Sequence, residues 1–134
     1  MSVQVNDRKL AQQFFNKTKS WQAEANSLEI DLMFFMRIID IYALKISDPT
    51  EKRDVNLLKE TVSSFLNHRM DNVKNRLKTH EEYLQKVVED RILLKDKDLP
   101  YRHRDMEEEF GDFRKGGGGL KNDLYLKVER LKQF

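Results

Sequence analysis

Metal or proton chemistry in this chain would have to start from three histidines, His68, His80 and His103. His80 and His103 both fall on apolar stripes of helical spacing, which makes them the sharper pair. Di-iron bundles use Glu-x-x-His motifs on two helices with further glutamates facing them. Here the positions three before the histidines hold Phe65, Leu77 and Pro100, so the motif is missing. A His-Glu-x-x-His pair is missing too, and a haemerythrin-like centre needs more histidines. If helices B and C reverse about a turn near Asp98, His103 lies level with about Leu93. His80 then lies roughly 20 Å further along, from the helical rise. The sequence thus predicts two separate boundary histidines, with no metal and no cofactor. His103 with Glu107 one turn later supplies two ligands, too few for a site.

Other chemistry-bearing clusters reduce in the same way. Asp105, Glu107, Glu108, Glu109 and Asp112 are a carboxylate run. Neighbouring carboxylates on a helix point in different directions, so the run reads as a solvated face near a helix start, where it suits the macrodipole. Lys95, Lys97, Arg102 and Arg104 offer it ion-pair partners. No isolated acid sits on an apolar stripe. Arg69, Lys74, Arg76 and Lys78 are the densest basic stretch, but interleaved acids and a net charge of only +2 argue against a nucleic-acid face. Gly116–Gly119 lacks the Lys-Ser/Thr of a phosphate loop. The chain has no cysteine, which removes disulfides, thiolate metal sites and cysteine nucleophiles. No catalytic set remains, and the expectation is a non-enzymatic protein.

The elements that carry these residues follow from periodicity. Phe14, Trp21, Leu28, Phe35 and Tyr42 recur every seven residues. Ala11, Thr18, Ala25, Leu32, Ile39 and Ile46 run three residues ahead of them. This three-and-four step puts one stripe on one face of a long helix A, about 7–46, capped by Asn6 or Asp7. Asp48-Pro49-Thr50-Glu51 then carries an N-cap, a first-turn proline and a capping-box glutamate. Helix B, about 49–95, has the stripe Val55, Leu58, Val62, Leu66, Met70, Val73, Leu77, His80, Leu84 and Val87. Three successive steps of four from Leu58 to Met70 form a stutter that straightens the supercoil without breaking the helix.

Asp98-Leu99-Pro100 opens helix C, about 100–133. Its stripe is His103, Met106, Phe110, Phe113, Leu120, Leu124, Val128 and Leu131. Four glycines in mid-helix cost about 3–4 kcal/mol against alanine. Yet Phe113, Gly117 and Leu120 keep the apolar register through them. A continuous helix C is therefore expected; the alternative is a turn at Gly116–Gly119 and a fourth helix. The fold class is all-α, a single domain forming an antiparallel bundle of three long helices with coiled-coil-like packing. Hydrophobic residues at 39% and charged residues at 36% fit amphipathic helices of this kind. The longest apolar run, Leu32–Met36, is far too short to span a membrane, so a soluble cytoplasmic protein is expected.

Helix A carries more apolar surface than such a bundle needs. Ile30, Phe34, Ile41 and Leu44 share a second face, with Met33 beside them and Arg37 interrupting. Either a fourth helix of the chain covers this face or another chain does. The intermolecular reading is preferred, with a homodimer as the first partner and a different helical protein as the second. The expected function is structural: an apolar helix face presented for self-association or partner binding. A ligand-binding or enzymatic bundle with an internal cavity, or a nucleic-acid-associated helical protein, is the alternative.

Overall fold

The computed structural model describes residues 5–92 and 98–133. Its elements are α1 (Val5–Ala43), α2 (Pro49–Ser64), a π-helical segment (Phe65–Met70), α3 (Asp71–Val88) and α4 (Asp98–Leu131). Ser64 and Asp71, on either side of the π segment, keep right-handed helical angles (φ −63°, ψ −43° and φ −61°, ψ −43°). α2 and α3 therefore read as one long helix, and the fold is the expected antiparallel bundle of three long helices. α4 passes through Gly116–Gly119 without a break, and none of the four has a positive φ. The four-helix alternative is ruled out on that observation.

The helix ends show where local chemistry won. α1 stops at Ala43, and bonds from Lys45 N–H to the Tyr42 carbonyl and from Ile46 N–H to the Ala43 carbonyl form a turn. Asn6 and Asp7, expected as caps, lie inside the first turn of α1; Asp7 there faces the positive end of the dipole. Asp48 caps α2 as expected, accepting from Thr50 N–H, with Pro49 in the first turn. α3 ends at Val88, and the expected end near Lys95 lies outside the described residues. The stop is a Schellman motif: Arg91 N–H bonds to the Lys86 carbonyl (2.8 Å) and Asp90 N–H to the Val87 carbonyl (3.1 Å). Asp90 occupies the left-handed position with φ 57°, where glycine is more usual.

By packing, the chain divides into two compact units. The first comprises Met1–Ala25 and Asn72–Asp112. Its core joins Ala11, Leu84, Val87 and Leu99, with Phe14 and Tyr83 packed against them. Ala11, Thr18 and Ala25 are fully buried, small residues that leave room for Trp21 and Phe110. The buried Thr18 hydroxyl donates back to the Phe14 carbonyl at 2.8 Å, so its polarity is satisfied inside its own helix. Phe14 stacks on His103, and seven residues on in both helices Trp21 stacks on Phe110; α1 and α4 therefore run parallel here.

The second unit comprises Asn26–Asp71 and Phe113–Phe134. Leu32, Ile39, Val55, Val62, Leu124, Val128 and Leu131 form its core. Asp31 pairs with Lys121 and, four residues on in both helices, Phe35 meets Tyr125. The stutter is resolved differently from the expected straightening. Each step of four over-rotates a helix by about 40°, so three steps carry the stripe off its face. The π segment absorbs the surplus residue. It brings the Phe65 ring onto Phe113 (centroids 5.3 Å apart, nearly parallel) and over the glycine run. At buried Gly117 a Cβ would lie 2.2 Å from the Leu28 Cδ2 and 3.1 Å from the Phe65 Cζ. Gly117 is thus the position where helix-to-helix approach excludes any side chain.

Glu51 corrects two expectations. It does not serve as a capping-box residue, and it is an acid on an apolar stripe. Only 3% exposed, it accepts from Lys127 (3.2 Å) and pairs with Arg130 (3.2 Å) on α4. Extending the Val55, Leu58, Val62 stripe back by four residues lands on it.

Candidate functional site

The second apolar face of α1 lies wholly within the second unit. At 100° per residue, Ile30, Phe34, Arg37 and Ile41 fall within an arc of about 60°, and Leu44 follows as the first residue past the end of α1. That arc lies opposite Leu32 and Ile39, which are fully buried. The exposures are high for such side chains: Ile30 65%, Met33 44%, Phe34 55%, Ile41 63% and Leu44 88%. Arg37 is exposed among them.

Ion pairs mark both edges of this face. Asp31 accepts from Lys121 of α4 at 2.7 Å on one side. On the other, Asp40 pairs with Lys59 of α2 at 2.5 Å. The Phe34 ring meets Phe35 edge-on at 5.9 Å, and Phe35 meets Tyr125 in turn, so the apolar surface is tied to the core through rings. Among the described residues no segment covers the face. The expected alternative, a fourth helix after the glycines, does not cover it: Leu124, Val128 and Leu131 there belong to α4 and are buried on its core side.

The histidines stand in the first unit, and the expected separation of His80 and His103 is wrong. His80 Nε2 and His103 Nδ1 are 2.9 Å apart, one donating to the other. α3 ends at Val88, earlier than expected, and His103 lies level with His80. Both are buried, at 7% and 6% exposure. Phe14 stacks on His103 at 3.8 Å and Trp21 at 5.0 Å, while Tyr83 flanks His80 at 6.2 Å.

Burial pushes His80 down from 6.5 to about 4, helped by the nearby His103 and Arg102 charges. His103 is also lowered by burial; Glu107 opposes this and Lys17 adds to it. The pair is therefore neutral at pH 7 and shares one hydrogen bond. A second proton would set two cations in contact inside the core. Among the described residues no third His, Asp or Glu converges to complete a metal site. His68 is exposed on the π segment and takes no part.

An open groove of about 420 Å³ runs beside the pair, lined by Arg76, Thr79, His80 and Tyr83 of α3 and Arg102 and Met106 of α4, among others. The Arg102 guanidinium lies 4.3 Å over the Tyr83 ring and pairs with Asp98. Arg76 binds Asp105 and Glu109. One member of the basic stretch and two of the acidic run thus neutralise one another. The Tyr83 hydroxyl is buried and finds no hydrogen-bond partner among the described residues.

No family assignment emerges. No protein-family model matches the chain, and comparison with curated proteins and with solved structures gave no significant match. Among the described residues no helix is long and apolar enough to cross a membrane. The candidate interface residues Ile30, Met33, Phe34, Arg37, Ile41 and Leu44 are all exposed, on or near one face. The His80–His103 contact was missed by sequence reasoning. Its one signal was Glu89-Asp90 as a helix end, a weak one because Asp adopts left-handed angles less readily than Gly.

Proposed function

We propose that this is a non-enzymatic interaction protein that presents the outer face of α1 to another helix. The observation that supports it is the row of five large apolar side chains, each 44–88% exposed, on the face opposite the core. Such a row leaves roughly 600 Å² of contiguous apolar surface in water, the upper end for a monomer. Helix-in-groove and helix-on-helix docking both read anchors at this four-seven-three spacing. The rim ion pairs Asp31–Lys121 and Asp40–Lys59 would set the register of a partner rather than its affinity. The setting is a soluble, cytoplasmic protein.

The test is site-specific photo-crosslinking in cells, with a benzophenone side chain at position 34 and, as control, at exposed Glu60 of α2. Position 34 should give a discrete protein adduct that vanishes when Ile41→Glu is added. Equal or absent labelling at both positions refutes the reading. A second reading, small-ligand binding, is favoured by the buried Tyr83 hydroxyl beside the α3–α4 groove. It predicts that a bound compound shifts the His80 and His103 ring proton resonances.

A further inference from the structure

We infer that the occupant of the α1 face is a second copy of this chain, packed antiparallel across a two-fold axis beside Arg37. This rests on the interaction reading above and names its partner.

A two-fold interface must be self-complementary: the same patch, turned end for end, has to fit itself. The α1 face meets that condition about Arg37. Ile30 lies seven residues before it and Leu44 seven after; Met33 lies four before and Ile41 four after. End-for-end pairing therefore sets Ile30 against the second copy's Leu44, and Met33 against its Ile41. All four are exposed in the single chain. Apolar meets apolar at these four positions, while Phe34, three residues before the axis, falls level with the second copy's Asp40 beside the two Arg37 side chains.

Charge agrees with this arrangement. Arg37 is the one charged residue in the row. Asp40 sits one turn away on the flank toward α2. In antiparallel helix pairs the same flank of each helix faces its counterpart, so each Arg37 comes within a turn of the second copy's Asp40. Symmetry makes that contact twice. Asp40 is 55% exposed while bonded to Lys59, which leaves room for a second cation. Two such contacts offset the approach of the two Arg37 side chains at the axis.

Area sets the class of interface. About 600 Å² from each copy gives roughly 1,200 Å² in all, the lower end of specific interfaces. The dimer should therefore form as concentration rises.

The chain has no cysteine, so a single introduced thiol is unique. Light scattering of the wild-type chain should rise from 16.0 kDa toward twice that mass with concentration. Phe34→Glu with Ile41→Glu should stay at the monomer mass, at least a hundredfold weaker in association, with unchanged helical circular dichroism. Under mild oxidation Arg37→Cys should form a disulfide dimer. Ile30→Cys alone should not, because its two copies lie about 21 Å apart along the axis. Mixed with Leu44→Cys it should cross-link. Ready cross-linking of Ile30→Cys with itself overturns the antiparallel arrangement. A monomer at every concentration with no Arg37→Cys dimer overturns the second copy. In that event an adduct at position 34 in cells identifies a different protein on the face, and the interaction reading stands without its homodimer. If the charged double variant unfolds, the cysteine series still decides between these outcomes.

Discussion

The glycine run gives the sharpest quantitative prediction. Four consecutive glycines in the interior of α4 each forgo about 0.8–1.0 kcal/mol of helix propensity relative to alanine. A Cβ at Gly118 or Gly119 would meet nothing within 4 Å, and one at Gly116 would sit 3.9 Å from the Phe65 ring, an ordinary contact. The triple replacement Gly116→Ala, Gly118→Ala, Gly119→Ala should therefore stabilise the chain by about 2–3 kcal/mol. That is roughly 10 °C in Tm for a chain of this size.

Gly117→Ala should do the opposite. Its Cβ would lie 2.2 Å from the Leu28 Cδ2 and 3.1 Å from the Phe65 Cζ, so Leu28 must leave its place. Overpacking of this kind costs about 1–3 kcal/mol, more than the propensity gained. The net should be a loss of about 1–2 kcal/mol. The cause is separable in a double-mutant cycle. In a Leu28→Ala background the obstructing methyl is gone, and Gly117→Ala should become neutral or stabilising, a coupling above about 1 kcal/mol. Urea unfolding followed by circular dichroism measures all four corners. If Gly117→Ala stabilises as much as its neighbours, the close approach of α1 to α4 is not there. If the triple replacement destabilises, the run is not helical in solution.

Three further predictions concern buried polar groups and a helix end. His80 titrates at about 4 when folded against 6.5 when free, so between those values the unfolded chain binds more protons. Its contribution is complete above pH 6.5 and is lost as pH falls through 4. The loss is at most about 3 kcal/mol, less whatever screening the groove admits. His80→Phe should flatten the difference in urea midpoint between pH 7 and pH 4.5; an unchanged slope would place the acid sensitivity elsewhere. Glu51→Gln should cost about 2–3 kcal/mol because it strands Lys127, whose side chain is only 16% exposed. Glu51→Met with Lys127→Met should recover most of that loss, and a cycle with no coupling refutes the buried pair. Asp90→Gly should raise stability by about 1 kcal/mol, since glycine occupies φ 57° without a Cβ penalty; an unchanged or lower midpoint means α3 ends differently.

Legibility in the sequence followed the range of the interaction. Periodicity is local and repeats, so the stripes through Ala11–Ile39, Val55–Val87 and His103–Leu131 could be read directly. The face at Ile30–Leu44 was legible for the same reason: it is the surplus left once one stripe has been assigned to the core. Asp48 and Pro49 were legible because a cap is made by residues within one turn of each other. Asp90 was not, because its left-handed φ is one that Asp tolerates without announcing.

The sequence by itself determined that this chain is three long amphipathic helices, with no cysteine chemistry and one helix apolar on two faces. Tertiary structure alone decided which residues meet across helices. α3 stops early, at Val88, and His80 lies against His103. A π segment took up one surplus residue and set Phe65 over the glycine run. Glu51 became a buried anchor because Lys127 and Arg130 arrive from residues far away in the chain. Helical spacing fixes the angle of each side chain about its own axis, whereas the offset between two helices depends on where each turn begins and on what packs into the space left open.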